Sequence, residues 1–158
     1  MYFNLVDRVL ERTDTGITTL KTVTSAEEYL RDHFPEFPIL PGVMMLESMC
    51  QAAALWANGL RGDEGFGDAP GPDTPWLLAQ TRRLVYSAMV RPGEGLEVRV
   101  TCRGEAAGQL RFDGVGHVIR PGFPDEAARE AVKGRFTLRR VEEHEVHGPR
   151  VAAEAASG

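Results

Sequence analysis

His33-Phe34-Pro35-Glu36-Phe37-Pro38-Ile39-Leu40-Pro41-Gly42-Val43 runs directly into the one long apolar segment of the chain, Met44 to Gly59. Pro35, Pro38 and Pro41 recur every third residue, the period of a polyproline II helix, which predicts an extended, rigid loop. Pro41 supplies a φ suited to helix entry, so a helix is expected from near Gly42. Asn58-Gly59 suits its C-terminus. Val43, Leu46, Cys50, Ala53 and Ala57 fall at three- and four-residue spacing and mark one apolar face. Met44, Ala54 and Trp56 extend apolar character round most of the circumference, which predicts a helix buried on nearly all sides. Glu47 and Gln51 lie inside it, one turn apart on a shared face. A carboxylate in such a helix must be paired, hydrogen-bonded or protonated, because burying it alone is costly.

Chemistry offers one account of that carboxylate. The first N–H groups of a helix are unsatisfied and carry partial positive charge, so they suit a developing oxyanion. Gly42 has no side chain to keep a ligand from that backbone. An imidazole (His33), a carboxylate (Glu47) and an oxyanion donor are the parts needed to remove a proton beside a carbonyl and expel a hydroxyl. A capping histidine and a helix carboxylate satisfied by a neighbour account for the same residues equally well.

The run H-F-P-x-x-P-x-x-P-G-V, with Glu47 fourteen residues after His33 and Gln51-Ala52 beyond it, resembles the FabZ-type 3-hydroxyacyl-[acyl-carrier-protein] dehydratases. Phe3-Asn4-Leu5-Val6-Asp7-Arg8-Val9-Leu10 looks like the family's opening F-L-L-V-D-R-V, and Val90-Arg91-Pro92-Gly93-Glu94 like its V-x-P-G-D turn. The likeness covers about residues 3 to 141. It implies an α+β hotdog fold: a curled antiparallel sheet of about six strands wrapped round one long helix. It implies His33 as acid/base, Glu47 as second catalytic group, and Gly42, beside Val43, offering its N–H to the thioester carbonyl. Gln51 is placed either to orient Glu47 or to face a subunit seam. The implied partner is an acyl carrier protein bearing a 3-hydroxyacyl chain. The chain itself is expected to form dimers with shared active sites, which associate further, a trimer of dimers among the forms. The reaction needs no metal or organic cofactor.

Some positions depart from the family pattern. Glu36 stands where Gly is usual and Phe37 where a basic or polar residue is common, while Trp76 to Met89 follows the family's strand motif loosely. A longer stretch, Pro121 to Glu130, replaces a tight hairpin. These changes bear on substrate identity and leave the catalytic pair intact. Two other readings use the same pocket: a hotdog thioesterase, and a non-catalytic acyl-thioester-binding module.

At 158 residues the chain is read as one domain, 1–141, with a frayed tail at 142–158. Its net charge of −5 argues against nonspecific nucleic-acid binding, although sixteen of its eighteen basic residues are arginine. Arg82, Arg83 and Arg91 are expected to gather at the mouth of the site and steer an acidic carrier. Cys50 and Cys102 form no CxxC pair and read as reduced thiols, Val43 to Ala57 is too short and polar to span a bilayer, and no signal peptide is evident. A cytoplasmic protein is expected.

Strands are expected at Tyr2 to Arg12, Gly16 to Thr24, Trp76 to Val90, Gly95 to Arg103, Gln109 to Arg120 and Val132 to Val141. In the fourth, Leu96, Val98 and Val100 alternate with polar residues, as in a sheet with one wet face. Ser25 and Glu28 predict a capping box opening a short helix that ends near Asp32, and Asp125 to Ala131 a second short helix. Arg61 to Thr74 reads as a loop whose glycines lack a phosphate-loop lysine, and whose Arg61-Gly62-Asp63 is a chance tripeptide. His117 is read as structural. His144-Glu145-Val146-His147 has ligand-type residues but no third partner for a metal.

Overall fold

The computed structural model describes residues 3–59, 75–123, 127–141 and Glu145. Six strands are described: β1 (Arg8–Thr13), β2 (Gly16–Thr22), β3 (Trp76–Tyr86), β4 (Gly95–Ala106), β5 (Gln109–Ile119) and β6 (Arg129–Arg140). They form one antiparallel sheet in the order β1-β2-β4-β5-β6-β3. One long helix, α1 (Gly42–Gly59), lies against it. The α+β hotdog arrangement is therefore present, with β1 and β3 at the two edges.

Alternation drives the packing. Leu96, Val98 and Val100 are fully buried toward α1, while Glu97, Arg99 and Thr101 between them are less so. The helix packs tightly over Gly114 of β5. A Cβ on Gly114 would meet Met49 Sδ at 2.5 Å and Phe136 Cε1 at 3.0 Å, so only glycine lets α1 approach there. Trp56 meets Phe112 edge-on at 5.8 Å, and Phe112 stacks on Phe136 at 5.4 Å. The far end of α1 is closed by Arg12, whose Nη2 donates to the carbonyls of Trp56 (2.6 Å) and Leu55 (3.3 Å). A cation there satisfies last-turn acceptors and opposes the helix dipole.

Several expectations need correction. The buried face of α1 centres on Met45, Met49, Ala52, Ala53 and Trp56, and Val43, expected inside, is 69 % exposed. A single sheet covers one side of a helix, so α1 is not enclosed all round. The prolines do not hold residues 33–41 extended. Phe34 and Phe37 exchange N–H···O bonds (3.3 and 2.9 Å), and Ile39 N–H reaches His33 O at 3.0 Å, so these bonds close a compact turn. Residues 28–30 form a single 3-10 turn with no side-chain cap: the turn opens at Glu27, two residues past the expected Ser25 cap, behind a main-chain bond from Glu27 N–H to Thr24 O. β1 starts at Arg8, later than expected, because Leu5 binds the helix and not a strand. β6 starts at Arg129, where a helix was expected, because Arg129 and Glu130 pair with β5. Asp125 and Glu126, the stretch 61–74, and the tail apart from Glu145 lie outside the described residues. Glu145 forms two hydrogen bonds with Arg139, at 2.7 and 2.8 Å.

Candidate active site

His33 is held at the mouth of the turn. Its Nδ1 lies 3.1 Å from the Ile39 carbonyl oxygen, and its ring stacks on Phe34 at 4.6 Å. A carbonyl oxygen only accepts, so Nδ1 must carry the hydrogen. In the neutral ring the lone pair is then on Nε2, which makes no hydrogen bond among the described residues. The tautomer therefore follows from main-chain chemistry, seven residues of loop closing back on the ring.

The loop hands over to α1 through Leu40, whose N–H bonds to Val90 O at 2.8 Å. Pro41 O accepts from Met44 and Met45 N–H (2.9 and 3.2 Å), leaving the Gly42 and Val43 N–H groups without a hydrogen bond among the described residues. These two unsatisfied donors sit where the helix dipole is positive. Tyr86, at the end of β3, packs flat against this turn: a Cβ on Gly42 would lie 2.9 Å from its Cε1 and 3.0 Å from its Cζ. The tyrosine is 46 % exposed, and burial of the rest raises its phenol above the ordinary range.

One turn into α1, Glu47 Oε1 accepts from Gln51 Nε2 at 3.0 Å. Gln51 is fixed in turn by the chain ahead of β1. Its Oε1 accepts Leu5 N–H at 2.8 Å and its Nε2 also reaches Phe3 O at 3.4 Å. Ser48 Oγ adds a bond to Leu5 O at 2.9 Å. Gln51 thus links the Glu47 carboxylate to the chain ahead of β1. Glu47 and His33 share no hydrogen bond or ion pair among the described residues. Cys50, next along the same helix, is 7 % exposed, and burial, then the Glu47 charge, push its thiol up to about 12. It stays protonated and offers no nucleophile.

Beside Tyr86 opens a cavity of about 660 Å³, lined also by Met89, Arg91, Arg120, Arg129 and Glu130. Glu94 organises its basic rim. Its carboxylate accepts from Arg120 Nε (3.0 Å), Arg129 Nη2 (3.3 Å) and Arg91 N–H (2.9 Å). The Arg91 guanidinium lies over the Phe37 ring at 4.9 Å. The expected grouping of Arg82, Arg83 and Arg91 is not found: Arg91 joins Arg120 and Arg129, whereas Arg82 lines a different cavity. Sheet pairing, invisible in a local reading, makes that division.

Tyr86, Leu5 and Ile39 are the site residues that sequence reasoning missed. Two act through main-chain atoms, which carry no side-chain signal, and Tyr86 lies forty-four residues from Gly42.

The comparisons with known proteins agree with this architecture. The 3-hydroxyacyl-[acyl-carrier-protein] dehydratase FabZ of Polaromonas sp. (strain JS666) is 41 % identical over 115 residues, covering 72 % of this chain and 76 % of that protein. Among solved structures, the dehydratase heterocomplex ApeI:P of Xenorhabdus doucetiae superposes with a TM-score of 0.68 at 18 % identity, covering 92 % of this chain and 88 % of that one. A hypothetical thioesterase with coenzyme A from Streptococcus pneumoniae TIGR4 gives 0.56 at 12 % identity, covering 85 % and 87 %. Those two likenesses are of fold alone. Residues 1–118 match the FabA-like domain family. With that match and a relative of this identity over most of both chains, the protein belongs to the FabA-like family of hotdog proteins, on its FabZ-type dehydratase branch.

Proposed function

We propose that the chain is a hydro-lyase that converts a 3-hydroxyacyl thioester, carried on an acyl carrier protein, to the trans-2-enoyl thioester and water. Family membership supports the reaction class. The observation that supports the assignment of roles is the 3.1 Å contact of His33 Nδ1 with the Ile39 carbonyl oxygen, which calls for the hydrogen on Nδ1 and leaves Nε2 to act as the base. In this reading Nε2 takes the α-proton, and the electron pair moves to the thioester oxygen, which the Gly42 N–H stabilises with Val43 beside it. The pair then returns to form the α,β double bond. The C3–O bond breaks, and Glu47, directly or through a water, supplies the proton with which the hydroxyl leaves as water. Gln51 holds the Glu47 carboxylate throughout. A positioned acid or base is worth ~10²–10⁴ in rate and an oxyanion donor ~10²–10³.

We place the reaction in the cytoplasm, in the single domain 1–141, where the unpaired thiols Cys50 and Cys102 suit a reducing compartment. No described helix is long and apolar enough to cross a membrane. We also propose a two-fold dimer in which His33 of one protomer works with Glu47 of its partner. β3 is an eleven-residue edge strand exposing Leu77, Leu78, Val85 and Tyr86, and it borders the turn where Val43 is open. A long apolar edge of this kind asks to be covered, and a second copy covers it symmetrically.

The test is direct: carrier-linked 3-hydroxyacyl thioesters of graded length are incubated with the protein and read for enoyl product. Wild type should form it, while folded His33→Ala and Glu47→Gln should each lose ~10² or more. Release of free acid and thiol without enoyl product would overturn the dehydratase reading in favour of hydrolysis.

A further inference from the structure

Four arginines converge on the face of the sheet that turns away from α1. Phe112 and Phe136 point to the helix, so their neighbours Arg111, Asp113, Arg135 and Thr137 point the other way. Register sets these side chains in two rungs. Arg82 of β3 stands opposite Arg135 of β6, which stands opposite Asp113 of β5. In the next rung, Gln80 stands opposite Thr137, and Thr137 opposite Arg111. Arg103 enters from β4 at the register shift between Cys102 and Gly104. Together they line a cavity of about 580 Å³.

The charges there do not cancel. Asp113 is the carboxylate of this lining, and both of its oxygens are taken, by Arg103 Nε at 2.9 Å and Arg135 Nε at 3.3 Å. Arg82 and Arg111 have no ion pair or hydrogen bond among the described residues. Three positive charges are thus uncompensated in one hollow of a chain whose net charge is −5.

Two guanidiniums directly opposite across neighbouring strands repel, and the fold draws no packing benefit from them, since the core lies on the other face. An anion between them reverses the sign of that term. Guanidinium forks match phosphate oxygens two at a time, and Gln80 and Thr137 add neutral donors. Strands about 4.8 Å apart and rungs about 6.8 Å apart spread the four arginine positions over about 14 Å by 7 Å of sheet. Their long side chains all line the one hollow of about 580 Å³, where their guanidiniums can close on a single diphosphate. We infer that this groove is a binding site for a diphosphate-class anion, on the opposite face of the sheet from Glu47, filled from free pyrophosphate or from the diphosphate of a nucleotide.

Calorimetric titration of the full chain with pyrophosphate, at constant ionic strength, tests the site. Saturable binding at one per chain is expected. Arg82→Gln/Arg111→Gln removes two guanidiniums and leaves both Asp113 pairs in place. Without those charge-assisted hydrogen bonds to the anion, affinity should fall about tenfold or more, with enoyl formation unchanged. Arg91→Gln, on the other basic rim, should bind as wild type. ADP binding more tightly than pyrophosphate would identify the nucleotide as the source, and the reverse order the free anion. Heat that chloride reproduces at equal ionic strength, or affinity that survives the double substitution, would overturn the site. So would polyglutamate binding lost in the double variant with no pyrophosphate binding, because the groove would then take an acidic polypeptide.

Discussion

Gly42→Ala isolates the contact between the helix start and Tyr86. The added Cβ would stand 2.9 Å from Cε1, 3.0 Å from Cζ and 3.2 Å from Cδ1 of the ring. Carbon atoms rest about 3.5–4.0 Å apart, so the ring or the helix turn must shift by about 0.5–1 Å. Overpacking of this kind costs about 1–3 kcal/mol, at the low end here because the 46 % exposed ring has solvent to move into. Alanine returns up to about 1 kcal/mol of helix propensity. Stability measured by urea denaturation should therefore change by no more than about 1 kcal/mol. Catalysis should not be so forgiving. A 1 Å displacement of the proposed oxyanion donor is expected to lower kcat about 10²-fold. Removing the obstacle separates the steric cause from a need for glycine itself. Gly42→Ala/Tyr86→Ala should recover to within about tenfold of Tyr86→Ala alone, a coupling that a double-mutant cycle reads directly. A double variant as slow as Gly42→Ala, or a Gly42→Ala protein with full kcat, would refute the reasoning.

Three further outcomes are expected. Co-refolding equal amounts of His33→Ala and Glu47→Gln should restore about a quarter of native activity, since about half the dimers are mixed and half of their sites intact; exchanged chains that stay inactive would place the site within one protomer. Gly114→Ala forces a Cβ against buried Met49 and Phe136 and should cost about 2 kcal/mol, a fall of roughly 5 °C in Tm, whereas an unchanged Tm would show that α1 can back away. Cys50 keeps a proton that the unfolded chain gives up above about pH 9, so its contribution to stability is full below that value and is lost as pH rises toward about 12. The urea midpoint should fall across that window in wild type and less steeply in Cys50→Ala; equal slopes would assign the fall to other groups.

Much of this protein is local in origin and could be read from sequence. The bounds of α1 follow from Pro41 and Asn58-Gly59, and the Glu47–Gln51 hydrogen bond from one helical turn. Where residues distant in the chain decide the outcome, the reading failed. The direction in which α1 turns its apolar face is set by the sheet, which buries Met45 and Met49 and leaves Val43 outside. The grouping of the arginines follows strand register, which places Arg82 opposite Arg135 and sends Arg91 to Glu94. The expected Ser25 cap is absent because the short turn opens two residues later, at Glu27, a shift that no side-chain pattern signals. Tyr86 meets Gly42 only because β3 is an edge strand ending at the helix start.

The Gln51 amide has a stereochemical consequence. Leu5 N–H needs an acceptor and Phe3 O a donor, so the amide has one satisfied orientation and must present its NH₂ to Glu47. One carboxyl oxygen, Oε1, is thereby a permanent acceptor, and Oε2 is left as the oxygen that exchanges protons. The Ile39 carbonyl divides the imidazole nitrogens in the same way. Each proton in the proposed reaction then has a single address, and run in reverse, hydration of an enoyl thioester should create one configuration at C3. Chiral analysis of the product from a crotonyl thioester decides the matter, because a racemic alcohol would require water to reach both faces of C3, which a single activating carboxyl oxygen does not allow.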